Sequence, residues 1–139
     1  MKLEAEHIMD LKVDIGTFQE FGETVQGCLK VIPITGGSFS GPSISGKVVP
    51  GGADWNNLMD GKIRHVFAKY TLITDDGEYI SVENEGFSDE EEPKPHIRTV
   101  PKFIVSKDSK YKFLRSGVFV GSLKKGEGEF VEISIYKLK

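Results

Sequence analysis

Residues 36–55 read GGSFSGPSISGKVVPGGADW, and the rest of the chain is interpreted around this stretch. The segment is rich in glycine and serine, as flexible linkers are, but a linker would lack bulky apolar anchors. Here such anchors recur throughout, at Phe39, Ile44, Val48, Val49 and Trp55. The segment is therefore predicted to be folded.

Two short strands are predicted within it, at 38–39 and 44–49, with a bend between them at the Gly-Pro dipeptide. Glycine is favoured where two backbones come close or where φ is positive. The Pro-Gly-Gly sequence at 50–52 therefore predicts a tight turn. We expect this turn to hold Asp54 and Trp55 in fixed positions.

The flanking segments alternate between apolar and polar residues, which is the period of a half-buried strand. Residues 2–13 follow this pattern, with Ile8 as the one exception. The strongest strand is predicted at 63–74. One of its faces carries Val66, Ala68, Tyr70 and Leu72, and the other carries His65, Phe67, Lys69, Thr71 and Ile73.

About eight to ten short strands, separated by turns and with little helix, predict an all-β fold, a single antiparallel β-barrel over residues 1–139. Closure is favoured over a sandwich because it removes exposed edge strands. Residues 88–95, SDEEEPKP, have no apolar anchor and are predicted to form an acidic mobile loop. A barrel of this size is either filled by side chains or holds one small molecule.

The composition is ordinary for a globular domain, with 139 residues, 38% of them hydrophobic, and a net charge of −3. The acidic balance disfavours nucleic acid as a partner. The single cysteine, Cys28, cannot form an intrachain disulfide and indicates a reducing compartment. Glutamates near the N-terminus and the lack of a long apolar run predict a cytoplasmic protein with no membrane partner.

Four residues are candidates for acid–base chemistry. Asp54 is the candidate acid or base, His65 or Tyr70 its proton partner, and Arg98 the group that stabilises a developing oxyanion. Three of them have a structural alternative. Asp54 would cap backbone amides of the predicted turn, His65 would be a hydrogen-bonded core residue, and Arg98 would point into solvent.

The walls of a ligand pocket are predicted at Phe39, Trp55 and Phe103, with Lys69 as a polar contact. An inward cation would need a carboxylate partner, either Asp54 or a group on a ligand, because an unpaired buried charge is very costly. For Lys69 an outward position is favoured, since lysine is rarely buried. No metal site and no cofactor are predicted, because ligand spacing and nucleotide-binding fingerprints are missing.

Four motifs carry a family resemblance: GGSFSGP at 36–42, PGGADW at 50–55, KYTLITDDG at 69–77 and IRTVPKF at 97–103. Together they resemble the bacterial and fungal domain-of-unknown-function family 3237, also called uncharacterised protein family 0311. The resemblance covers nearly the whole chain. It implies an antiparallel β-barrel and supplies no established activity.

The chain departs from the pattern of that family at three places. Phe67 and Lys69 stand where the family usually has Asp and Arg, and residues 113–115 read FLR where it usually has Trp-Leu-Asn. If the replaced Asp or Asn were catalytic in the family, this chain would be inactive or altered.

Three functions remain open at this point. The first is a barrel that binds a small organic molecule bearing a carboxylate or carbonyl group. The second is a lyase, isomerase or hydrolase that acts on a small metabolite through Asp54. The third is a structural protein with a filled interior, whose exposed strands pair subunits. A homo-oligomer, a dimer or larger, is expected.

Overall fold

The computed structural model describes residues 1–139 and is built almost entirely of β-strands. The single helical element is a 3₁₀-helix of three residues, Lys112–Leu114. There are nine strands: β1 (Ala5–Ile15), β2 (Gln19–Thr24), β3 (Gly27–Ser40), β4 (Ser45–Met59), β5 (Ile63–Thr74), β6 (Tyr79–Asp89), β7 (Ile97–Ile104), β8 (Phe119–Lys125) and β9 (Phe130–Leu138).

The strands form one antiparallel sheet in the order β1-β9-β8-β7-β6-β5-β4-β3-β2, and β1 also pairs with β3. This second pairing closes eight strands into a barrel. It joins residues 10–15 of β1 to residues 34–40 of β3, whereas the first part of β3 pairs with the extra strand β2. The predicted all-β antiparallel barrel with little helix is confirmed.

The predicted turn at 50–52 is wrong. These residues lie within the continuous strand β4, and the pairing of β4 with β5 shifts register between Val49 and Ala53. Gly52 allows the backbones to come close at this bulge, because a Cβ there would collide with the Lys69 carbonyl and with Cβ of Tyr70. The actual chain reversal is at Gly41, whose N–H donates to the Ile44 carbonyl at 2.7 Å.

A second bulge explains the exception at Ile8. The pairing of β1 with β9 shifts register between His7 and Met9, so two consecutive residues, Ile8 and Met9, are both buried. An extra residue in one strand interrupts the strict alternation of faces. Beyond the bulge the alternation resumes, with Leu11 and Val13 buried.

One half of the barrel is filled by a hydrophobic core, whose members include Met9, Phe39, Ile44, Leu72, Ile80 and Phe119. The segment 111–114 carries the 3₁₀-helix, and Leu114 is buried in this core. Asp76 fixes the segment from the β5–β6 turn. It accepts a hydrogen bond from Oη of Tyr111 at 2.6 Å and pairs with Nζ of Lys110 at 2.7 Å.

The predicted acidic loop, 88–95, is partly ordered by specific contacts. Residues 88 and 89 belong to β6, and Glu90 forms an ion pair with Arg64, with 2.9 Å between Oε1 and Nε. The mobility of the remaining residues stays a prediction. No helix in the structure has the length and hydrophobicity needed to cross a bilayer.

Candidate ligand-binding site

The inward faces of β4, β5 and β6 carry polar side chains in the half of the barrel that the core does not fill. On β5 the alternation of faces points Val66, Ala68 and Tyr70 inward. Asp54 on β4 and Asn84 on β6 lie on the same inner surface. The continuous strands, rather than a turn, determine where these side chains point.

These residues line a cavity of about 390 Å³. Twelve of its twenty lining residues are hydrophobic, and they include Val13, Ile34 and Ile133. The cavity opens at the end where Phe18, Lys125 and Glu129 are exposed to solvent. A mostly apolar chamber of this size with a few convergent polar groups is typical of a small-molecule site.

Asp54, Ala68 and Asn84 form a row across three neighbouring strands. Asp54 pairs with Ala68, and Ala68 pairs with Asn84. Because neighbouring strands lie about 4.8 Å apart, the Cα atoms of Asp54 and Asn84 are separated by roughly 10 Å. The small side chain of Ala68 leaves the space between the two polar groups open.

The Asp54 carboxylate lies within the barrel wall, where hydrogen bonds and nearby charges only partly offset the cost of burying its negative charge. Burial raises its pKa above the usual value, and this effect is opposed by hydrogen bonding from the Phe67 backbone N–H and from Asn56 and by the charges of His65 and Lys30. The Phe67 N–H donates to Oδ1 at 3.1 Å. A carboxyl group with a raised pKa can exchange a proton more readily near neutral pH than an exposed one.

Tyr70 and Asn84 present buried polar groups that the protein itself leaves unpaired. Tyr70 is 3% exposed and Asn84 is 1% exposed. Neither Oη of Tyr70 nor the amide oxygen and nitrogen of Asn84 has a hydrogen-bond partner within the chain. Burial and the nearby Asp54 carboxylate raise the pKa of the Tyr70 hydroxyl, so this group stays protonated and can donate.

Arg64 is the cation nearest the mouth on the inner face of β5. Its Nη1 donates to Oδ1 of Asn56 at 2.5 Å, and its Nε pairs with Glu90. Oγ of Ser88 also donates to Glu90, at 2.9 Å. The charge of Arg64 is thus compensated by the start of the 88–95 segment, which fixes the guanidinium at the cavity wall.

Four of the residues proposed from the sequence lie on the outer face. Trp55 is 47% exposed, because it follows Asp54 on one strand and consecutive residues point to opposite faces. His65 contacts Oε2 of Glu85 at 2.7 Å, and Lys69 pairs with Glu83 at 3.6 Å. Arg98 is exposed, and its guanidinium contacts Ser122. The inward positions considered for Trp55, His65 and Arg98 are therefore wrong, whereas Lys69 has the outward position that the sequence favours.

The two phenylalanines proposed as pocket walls lie in the filled half instead. Phe39 is 4% exposed and belongs to the hydrophobic core. Phe103 packs against this core, and its ring meets that of Phe119 edge-on with 5.1 Å between centroids. They close one end of the barrel rather than line the cavity.

Sequence reasoning missed Asn56, Arg64 and Asn84, although the signal is present. Arg64 lies two residues before Val66, so the alternation of β5 extends to it. Asn84 continues the inward series of Ile80 and Val82 on β6. A polar residue on the otherwise apolar face of a strand is the sequence pattern that indicates such a site.

The lining of the cavity narrows the chemistry that it can support. It contains no Ser, Thr, Cys or His. A serine or cysteine nucleophile activated by histidine is thus not present there. No group of three or more His, Cys, Asp or Glu side chains is arranged to hold a metal ion. Carboxyl, phenol, amide and guanidinium groups are what the wall offers.

Fold and site together define an antiparallel β-barrel protein that is filled at one end and has a cavity open at the other. The chain belongs to the family described as "Protein of unknown function (DUF3237)", whose model matches residues 3–138. It is similar to a UPF0311 protein of Rhodopseudomonas palustris, with 33% identity over 134 residues, which covers 86% of this chain and 87% of the relative. A UPF0311 protein of Bradyrhizobium diazoefficiens is 32% identical over the same length.

Solved structures show the same barrel. A conserved protein of unknown function from Rhodopseudomonas palustris superposes with a TM-score of 0.89 at 31% identity, with 100% of this chain and 99% of that chain covered. A beta-barrel like protein from Acinetobacter baumannii gives a TM-score of 0.88 at 28% identity, covering 100% and 98%. An enzyme from Penicillium herquei matches with a TM-score of 0.77 at 20% identity, covering 100% and 96%, which shows a shared fold.

Proposed function

We propose that the protein binds a small, largely apolar organic molecule bearing a carbonyl or carboxylate group in the open half of the barrel. The observation that carries this proposal is the pair of buried, unpaired polar side chains, Tyr70 and Asn84, on the wall of the cavity. A buried polar group without a partner costs about 1–3 kcal/mol. A ligand that pairs with these groups would recover that free energy.

The shape and charge of the cavity support the same class of ligand. Its hydrophobic walls suit an apolar body, and the Tyr70 hydroxyl and the Asn84 NH₂ can both donate to a carbonyl oxygen. Lys30 and Lys125 near the mouth would attract a molecule that carries negative charge. These features favour binding over a purely structural role for the open half.

Thermal stabilisation by small molecules tests the proposal. A panel of small ketones, phenols and aromatic carboxylates is screened against the wild type, Ala68→Leu and Lys69→Leu. The leucine at 68 fills the gap between Asp54 and Asn84, whereas the leucine at 69 lies on the outer face of the same strand. A ligand at 100 times its Kd stabilises a protein by about 2.7 kcal/mol.

We expect stabilisation of the wild type and of Lys69→Leu, and its loss in Ala68→Leu. The proposal is contradicted if no compound in the panel stabilises the wild type. It is also contradicted if the compounds that do so stabilise Ala68→Leu equally.

A further inference from the structure

The arrangement of Asp54, Tyr70 and Asn84 goes beyond what binding alone requires. A carboxylate lies on β4, one neutral hydrogen-bond donor, Asn84, lies across the Ala68 gap on β6, and a second, Tyr70, lies on β5 two residues beyond Ala68. A simple binding site for a carbonyl compound would need the donors only. The carboxylate would repel an anionic ligand unless it has a role of its own.

We propose that the site abstracts a proton next to a carbonyl group, with Asp54 as general base and with Tyr70 and Asn84 as donors to the resulting oxyanion. This inference rests on the proposed function and names its substrate class, a small ketone with an acidic α-hydrogen. The reaction class is an isomerisation through an enolate.

The step balances without a further reactant. The Asp54 carboxylate takes the α-proton, and the electron pair of the C–H bond forms the C=C bond of the enolate. The π pair of the carbonyl moves to its oxygen, which accepts hydrogen bonds from Oη of Tyr70 and from Nδ2 of Asn84. Asp54 then returns the proton, either to the same carbon or to a carbon conjugated with it.

The geometry suits this division of roles. A carbonyl oxygen and its α-carbon can bridge a base and a donor that lie about 8 Å apart, if each contact is about 3 Å long. Asp54 and Asn84 both line the cavity, and the separation of roughly 10 Å between their Cα atoms leaves room for such a bridge. Hydrophobic walls exclude water, which strengthens hydrogen bonds to a developing charge.

The surrounding groups favour proton abstraction over the alternatives. No lining side chain is a serine, threonine or cysteine that could act as a nucleophile. The guanidinium of Arg64 is already paired with Glu90 and Asn56, so it is not required to bind the oxyanion. Asp54 is the carboxylate in the row opposite Asn84, which makes it the base available to a carbonyl compound held by the two donors.

Two probes test the inference. The first is 4-nitrophenol, whose ionised form resembles an enolate and is visible by its absorbance. It is titrated into the wild type, Tyr70→Phe, Asn84→Leu and Asp54→Asn. We expect the Kd of the phenolate to rise at least about tenfold in Tyr70→Phe and in Asn84→Leu, and to fall in Asp54→Asn, where the repelling charge is removed.

The second probe is cyclohexanone in D₂O, followed by the exchange of its α-hydrogens in the NMR spectrum. We expect the wild type and Lys69→Leu to accelerate exchange and Asp54→Asn to lose this acceleration. Far-UV circular dichroism confirms that each variant is folded.

The inference is overturned if the wild type does not bind the phenolate, or if Tyr70→Phe and Asn84→Leu bind it as tightly as the wild type does. It is also overturned if the accelerated exchange persists in Asp54→Asn. Failure here is distinguishable from failure of the proposed function. If the protein binds small molecules but does not abstract protons, compounds of the panel will still stabilise the wild type and will still fail to stabilise Ala68→Leu.

Discussion

Asp54 and Asn84 face the same cavity from two strands that are separated by the strand carrying Ala68. The relationship follows from the antiparallel register, which puts the three residues in one row. It places the Asp54 carboxylate and the Asn84 amide on opposite sides of the small side chain of Ala68. The account of this protein depends on that row.

Replacing Asn84 by leucine is expected to stabilise the protein. Asn84 is 1% exposed and has no partner for its amide within the chain, so a leucine, which branches at the same carbon and can extend into the adjoining cavity, removes an unpaired polar group. We expect a gain of about 1 kcal/mol in the free energy of unfolding, measured by urea titration. A loss of stability in this variant would show that the amide is satisfied in the folded protein.

The ionisation of Asp54 is expected to oppose folding as the pH rises. Because burial raises its pKa above the ordinary value of 3.8, folding favours the neutral carboxyl group over the ionised one. The favourable contribution is fully present below the unfolded pKa and is lost as the pH rises through the folded one. Relative to Asp54→Asn, the wild type should therefore lose stability over that range, measured by urea titration at each pH. An unchanged difference between the two proteins would contradict this assignment.

Asp76 is expected to show the opposite dependence on pH. The hydrogen bond from Lys110, and then those from Thr74 and Tyr111, lower the pKa of Asp76 well below its ordinary value of 3.8. Its contribution to stability is present above the unfolded pKa and is lost as the pH falls through the folded one. Asp76→Asn should thus be destabilised at neutral pH, and its Tm should approach that of the wild type in acid. Asp108→Asn, in another exposed turn, is the control and should leave the Tm nearly unchanged.

Truncation of Leu114 is expected to damage the filled half of the barrel. Its side chain is 2% exposed and packs within the core at the end that the 3₁₀-helix closes. Leu114→Ala should cost about 2–5 kcal/mol of unfolding free energy, because it removes buried methyl groups and leaves a cavity. Val118→Ala, at a position that is 55% exposed, should change stability by less than about 0.5 kcal/mol. Equal effects of the two variants would contradict the assignment of Leu114 to the core.

The sequence predicted the barrel because alternation is a local property that a single chain displays. The same alternation divided β5 into two faces, one of them with Val66, Ala68 and Tyr70, but it did not decide which face is the inner one. It also rules out a shared orientation for Asp54 and Trp55, but the predicted turn at 50–52 concealed this consequence. The pairing of β4 with β5 continues on both sides of the irregular residues 50–52. A glycine pair after proline therefore need not end a strand.

The candidate site was harder to predict because it depends on pairing between distant segments. Which half of the barrel is filled is decided by the bulky residues that meet there, such as Phe39 and Phe103, and by the 3₁₀-helix that closes it. The alignment of Asp54 with Asn84 requires the registers of two hairpins. Neither the filled half nor this alignment can be predicted from the residues of a single strand.

Site-resolved NMR tests the central claim most directly. The single tryptophan, Trp55, lies on the outer face and gives one indole N–H signal, whereas the side-chain amide of Asn84 reports on the cavity. The protein is titrated with the panel compound that stabilises it most. The account predicts large shifts of the Asn84 amide with an unmoved Trp55 indole. Shifts of the indole with an unmoved Asn84 amide would contradict it.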